Sequence, residues 1–283
     1  MGVERFTLAA FFFSVTNSST SRHSILGVQI HATDYATATE TIVAAAKGKR
    51  TFAASALAVH GIMTGVTSAV HRGRLNSLEY IVPDGQPVRW ALNWIYRSKL
   101  ADRVYGPFLT KALCARAEQD GLRVFFYGSD EATLAQLREK LFQLYPSLII
   151  AGTRASRFRR ANSAEWHSDV AAIRDANPDL VFCGLGCPRQ EMWVYEMREY
   201  VSVPLVAVGA AFPFLAGRLQ MAPAWMQRRG LEWLFRFSRE PFRLWRRYLI
   251  FNPMFLAGIF LQKIGIFKES HRTCPKSPPQ RWS

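Results

Sequence analysis

Four strand-like apolar runs in this chain each break on a glycine-bearing turn. Residues 79–82 run into Pro83-Asp84-Gly85, 124–127 into Gly128-Ser129, 180–183 into Gly184-Leu185-Gly186, and 205–208 into Gly209. Further strand signals lie at 25–30, 51–59 and 148–151. Helical patterns separate them, at 35–47, 66–75, 87–96, 109–119, 131–145, 166–175 and 191–200. In the 131–145 stretch, Leu134, Leu137, Leu141 and Leu144 recur at helical spacing. Strands that alternate with helices are joined by crossovers, and crossovers make strands parallel. The expected fold is therefore α/β: a Rossmann-like, largely parallel sheet with helices on both faces. Ligands of such sheets sit beyond the carboxyl ends of the strands, where these glycine turns lie.

After Gly217 the pattern changes. Arg228, Arg229, Arg236, Arg239, Arg243, Arg246 and Arg247 crowd one region, interleaved with Trp225, Trp233, Phe235, Phe237, Phe242 and Trp245. Gly230, Pro241 and Pro253 divide it into short helical pieces. The last, 254–267, is apolar but interrupted by Gln262 and Lys263, which favours an interfacial helix over a spanning one. Four segments follow: a flexible tail over 1–24, an α/β catalytic domain over 25–217, a basic aromatic helical appendage over 218–270, and a disordered tail over 271–283. The apolar stretch 6–15 resembles a signal core, but Glu4 cancels Arg5 and no small-residue cleavage site follows, so it reads as tail.

The formal net charge of +15 favours polyanions: nucleic acid, phospholipid surface or pyrophosphate substrate. No RNP, KH or zinc-finger pattern is present, and no G-x-G-x-x-G stands in Rossmann position, which disfavours nucleic-acid binding and dehydrogenase chemistry. A basic nucleic-acid- or membrane-binding α/β protein without catalysis stays as the alternative. Cys114, Cys183, Cys187 and Cys274 form no CxxC pair and read as reduced thiols.

Five stretches together resemble one family: 82–85 (VPDG), 177–191 (NPDLVFCGLGCPRQE), 208–212 (VGAAF), 222–236 (APAWMQRRGLEWLFR) and 240–248 (EPFRLWRRY). The chain is similar, over roughly 25–248, to the bacterial glycosyltransferases that include the teichoic-acid N-acetylmannosamine transferases and the N-acetylmannosaminuronic acid transferases of enterobacterial common antigen. The resemblance implies sugar transfer from a UDP-sugar to a polyprenyl-diphosphate-linked glycan, with inversion and without metal or other cofactor. The absence of a D-x-D motif agrees with the last point. It also implies a cytoplasmic protein held peripherally at the inner face of an anionic membrane. A homo-oligomer is compatible with the sequence, and nucleic acid is not an expected partner.

Pro-Asp-Gly is by itself a turn signal. The resemblance makes Asp84 the general base that takes the acceptor's proton. It also implies that appendage arginines neutralise the departing diphosphate, with Arg228, Arg236 and Arg243 as candidates. Gly184, Gly186, Arg189 and Gln190 belong to a loop that opens a helix and suits phosphate and hydroxyl binding. Glu191 could grip a hydroxyl or cap that helix. Gly85, Gly128 and Gly209 stand at the other strand ends. Ser55 and His60 are candidates around the 51–59 run, where members of the family carry a Thr or Asn that has no clear counterpart here. Phe212 reads first as core, with base stacking as its second use.

Overall fold

The computed structural model describes residues 21–267. Residues 1–20 of the expected tail 1–24, residues 268–270 of the expected appendage and the expected tail 271–283 lie outside the described residues. The chain begins with a hairpin, β1 (Arg22–Ile25) and β2 (Val28–His31), where a single strand over 25–30 was expected. Leu26 and Gly27 have φ of 52° and 85°, the left-handed pair that a two-residue hairpin turn requires. β1 therefore starts inside the segment read as tail.

A six-stranded sheet follows. Its strands are β3 (Phe52–Leu57), β4 (Tyr80–Pro83), β5 (Arg123–Tyr127), β6 (Ile149–Arg154), β7 (Leu180–Cys183) and β8 (Pro204–Ala207). The order is β4-β3-β8-β7-β5-β6 and every pairing is parallel. The two-residue period of the strands feeds two cores. Phe125, Tyr127, Val181, Cys183, Leu205 and Ala207 face one side. Val124, Phe126, Leu180, Phe182, Val206 and Val208 face the other.

Helices cover both faces. α1 (Tyr35–Lys47), α5 (Gly106–Asp120), α6 (Glu131–Leu144) and α9 (Ala211–Leu215) bury residues against the second core. α2 (Val59–Thr67), α3 (Ala69–Asn76), α4 (Gln86–Tyr96), α7 (Ser163–Ala176) and α8 (Arg189–Met197) do so against the first. The helix expected over 66–75 is thus two helices. They break at Ser68, whose hydroxyl accepts the His71 N–H at 3.2 Å and caps α3. The hairpin shields the β4 edge, with the Ile81 N–H donating to His31 Nδ1 at 3.1 Å.

The C-terminal helices are α10 (Ala224–Arg228), α11 (Glu232–Arg239), α12 (Pro241–Trp245), a π-helical turn (Arg246–Phe251) and α13 (Asn252–Lys263). α13 buries Phe255 and Ile259 in the first core. Gln262, read from sequence as an interruption, accepts the Leu26 N–H at 2.9 Å and donates to Ser24 O at 2.8 Å. It ties the last helix to the first hairpin. No helix among the described residues is long and apolar enough to cross a membrane.

Candidate active site

β3 leads into α2 on one face of the sheet, while its neighbour β8 leads into α9 on the other. The sheet thus reverses its winding beside β3, and a cleft opens over the carboxyl ends there. The cleft has a volume of about 700 Å³ and is roofed by α11, α12 and the π turn. Asp84, His60, Gly184, Gly186, Gln190, Glu191, Gly209, Arg236 and Arg243, all singled out from sequence, line it.

Asp84 follows β4 directly, and its own N–H donates to Leu57 O at 3.1 Å. Burial pushes its pKa up to about 6; Arg103 pulls it down, Glu232 pushes it up, and Arg247 and the Gly106 N–H pull it down. The result is a carboxyl group poised between its two protonation states near neutral pH. Arg103 forms an ion pair with Glu232, and its guanidinium lies 4.2 Å from the Tyr105 ring centroid. Neither Arg103 nor Glu232 stood among the sequence candidates. A lone Arg in a loop carries no local signal, and its partner is 129 residues away.

The α8 candidates form one buried chain. Ser55 Oγ donates to Glu191 Oε1 at 3.0 Å, and Gln190 Nε2 donates to the same oxygen at 2.7 Å. Gln190 Oε1 accepts the Gly209 N–H at 2.9 Å. Glu191 is 1% exposed, and burial raises its pKa against the hydrogen bonds from Gln190 and Ser55. This arrangement is neither simple capping nor simple ligand contact: Glu191 braces Ser55 and Gln190 beneath the cleft floor, and Gln190 braces the turn at Gly209. Ser55 itself is buried in β3, one layer below the cleft. His60 sits in the first turn of α2, stacked on Phe251 with centroids 5.5 Å apart. Burial, then Arg247, lowers its pKa to about 4, so it is a neutral imidazole near pH 7.

Several candidates lie elsewhere. Phe212 is fully buried, edge-on to Phe126, and is core. Its ring presses on Gly184, where an added Cβ would meet ring carbons at 2.6 Å. An added Cβ on Gly128 would meet the Gly184 backbone at 2.8 Å. Gly128 therefore packs tightly between two strand-end turns and does not line the cleft. Arg189 lies off the cleft wall and donates to Phe158 O at 2.9 Å, holding a cleft-lining residue. Arg228 is exposed on α10 and does not line the cleft; Arg246 and Arg247 do. Gly85 lines a second, smaller chamber that shares Asp84, His60 and Arg247 with the cleft.

The profile of the Glycosyl transferase WecG/TagA/CpsF family matches residues 23–269. The chain belongs to that family. It is also similar to two N-acetylglucosaminyldiphosphoundecaprenol N-acetyl-beta-D-mannosaminyltransferases. The one from Bacillus subtilis (strain 168) is 30% identical over 176 residues, or 62% of this chain and 66% of the relative. The one from Bacillus spizizenii is 32% identical over the same shares. The chain thus spans just under two thirds of the length of these relatives. The matched family profile, in contrast, covers both the sheet and the C-terminal helices, so the cleft and its roof both lie within family territory.

Proposed function

We propose that this chain is an inverting glycosyltransferase that moves a sugar from a UDP-sugar to a polyprenyl-diphosphate-linked glycan in cell-surface polysaccharide synthesis. The observation that carries the reading is the position of Asp84. One carboxyl group with a pKa of about 6 faces both a large cleft beside glycine turns and a smaller chamber under the C-terminal helices. In the reaction, an acceptor hydroxyl attacks the anomeric carbon of the donor. The bond from that carbon to the UDP oxygen breaks, its electron pair leaves with UDP, and Asp84 takes the hydroxyl proton. Arg236, Arg243 and Arg247 line the cleft and offset the charge that develops on the leaving diphosphate.

The acceptor carries a lipid, and the outer surface of the roof suits one. Phe242, Trp245 and Leu249 are exposed there, with Phe242 93% exposed, and Leu256 and Phe260 are exposed on α13, which follows the π turn. Arg243 and Arg246 alternate with them along the chain. Apolar side chains interleaved with arginine match the inner face of an anionic membrane, which supports peripheral docking by this surface.

The test is UDP release from a panel of UDP-sugars with a short-chain polyprenyl-diphosphate-linked acceptor, for the wild type and Asp84→Asn. Acceptor-dependent release by the wild type, reduced about a hundredfold or more in the variant, is the expected outcome. Equal release by the two proteins would remove Asp84 from the chemistry.

A further inference from the structure

Asp84 stands at the end of β4, and one short segment wraps its carboxyl group. The Val104 N–H donates to Pro83 O at 2.9 Å, directly before Asp84, and the Gly106 N–H faces the carboxylate. Two side chains of the same segment turn to the roof. Arg103 forms an ion pair with Glu232, and the Tyr105 hydroxyl bonds to the same carboxylate. The Arg103 and Glu232 side chains are 8% and 11% exposed. Theirs is the one ion pair between the roof and the rest of the chain among the described residues. Asp84 lines the same small chamber as both, yet forms no ion pair among the described residues.

A guanidinium cannot shed its charge, so a buried one must be held by a carboxylate. The chamber is lined by two carboxylates, Asp84 and Glu232, and Arg103 is given to Glu232. The allocation matters because a carboxylate paired with arginine accepts a proton poorly: protonation would cost it the counter-charge. Burial, the largest influence on Asp84, keeps its carboxyl group receptive, with Arg103 acting against burial and Glu232 with it. The other titratable and charged groups facing Asp84 are Tyr35 on α1, His60 on α2, Tyr105 before α5, Arg236 on α11 and Arg247 in the π turn. None of these is an acid that could hold Arg103 in place of Glu232.

We propose that Glu232 is a positioning residue for the base: by holding Arg103 it keeps the guanidinium from pairing with Asp84, so that Asp84 is a competent proton acceptor only while α11 is seated over the end of β4. The inference rests on the glycosyl-transfer reading above and adds to it a carboxylate from the roof that acts through Arg103.

The test is the titration of the Asp84 carboxyl group, followed by carboxyl-carbon NMR on the full-length, aspartate-labelled protein. The signal is identified by its loss in Asp84→Asn. The wild type is expected to titrate at about 6. In Glu232→Gln the value is expected to fall by about one unit or more, toward the ordinary carboxylate value of about 3.9, as Arg103 turns to Asp84. The pH profile of kcat/KM should move with it, with a plateau lowered about threefold to tenfold. The double variant Arg103→Met, Glu232→Gln removes both charges, and in it the value is expected to return to about 6 or above. A merely structural role for Glu232 would admit water in both variants and leave both values low. An unchanged value in Glu232→Gln, or a low one in the double variant, overturns the proposal. If Glu232→Gln does not fold, Arg103→Met alone decides: a rise above the wild-type value is expected, and no rise overturns the proposal. Failure of the transfer reading shows separately, as no UDP release by the wild type from any UDP-sugar, whereas the titration needs no turnover.

Discussion

Arg103 and Glu232 form a buried ion pair that joins the loop before α5 to the first turn of α11. Burial and the Glu232 charge raise the pKa of Tyr105, whose side chain bonds to the same carboxylate. Glu232 and Arg103 also act in opposite directions on Asp84. One contact therefore ties the roof to the sheet and balances the charge around Asp84.

Glu232→Ala leaves Arg103 buried without its counter-charge. Losing one member of a buried pair costs about 3 kcal/mol, so the urea midpoint should fall accordingly. Limited proteolysis should then cut near 217–232 in the variant before the wild type. Equal midpoints and equal cleavage would show that the pair does not hold the roof.

Asp84 links activity to stability with opposite signs. With Asp84 in the proposed role of base, kcat/KM should rise with pH through an apparent pKa near 6. The folded pKa lies above the unfolded value near 4, so the folded state binds the extra proton between them. The stability contributed by Asp84 is complete below about pH 4 and lost as pH rises to about 6. Asp84→Asn should therefore melt a few degrees higher than the wild type at pH 7–8, with the gap closing near pH 4. A variant that melts lower at both ends would contradict the origin assigned to the raised pKa.

His31, His60 and His71 act in the reverse sense. Burial lowers each to about 4, reinforced by Arg22, Arg247 and Arg74 respectively. Between about 4 and 6.5 the unfolded chain binds protons that the folded one excludes, so stability is present above pH 6.5 and drains as pH falls. Urea midpoints should drop steadily across that window. His71→Leu, which removes a 5% exposed ring whose two nitrogens have no hydrogen-bond partner, should flatten the slope.

The exposed apolar residues of the roof and of α13 should govern membrane partition. Phe242→Ser and Leu256→Ser together should reduce co-flotation with anionic vesicles by about tenfold, with less effect of either alone. Raised salt should weaken binding of both proteins, since the arginines contribute by charge. Wild-type binding that is equal for neutral and anionic vesicles and indifferent to salt would exclude the electrostatic part.

The alternation of strand and helix, the parallel sheet and the placement of Asp84, Gly184, Gln190 and Gly209 at strand ends were all legible in the sequence. They follow from local rules: periodicity sets the element, glycine ends it, and crossover connections make the sheet parallel. The arginine-rich helices were legible as a face of their own for the same reason. The roles within the site were not. Phe212 follows a strand-end glycine as a ligand residue would, yet packs beneath Gly184. Arg228 and Arg247 look alike in sequence, and only the π turn brings Arg247 between the cleft and the side chamber. Glu191 could not be resolved between binding and capping because Ser55, its partner, lies 136 residues away. The sequence by itself determined the elements, their order and the strand ends where chemistry collects, since each depends on neighbours within a few residues. Which carboxyl group is poised near neutral pH and which arginines share the cleft with it depend on Glu232 and Arg247, more than a hundred positions from Asp84, which only the folded chain brings beside it.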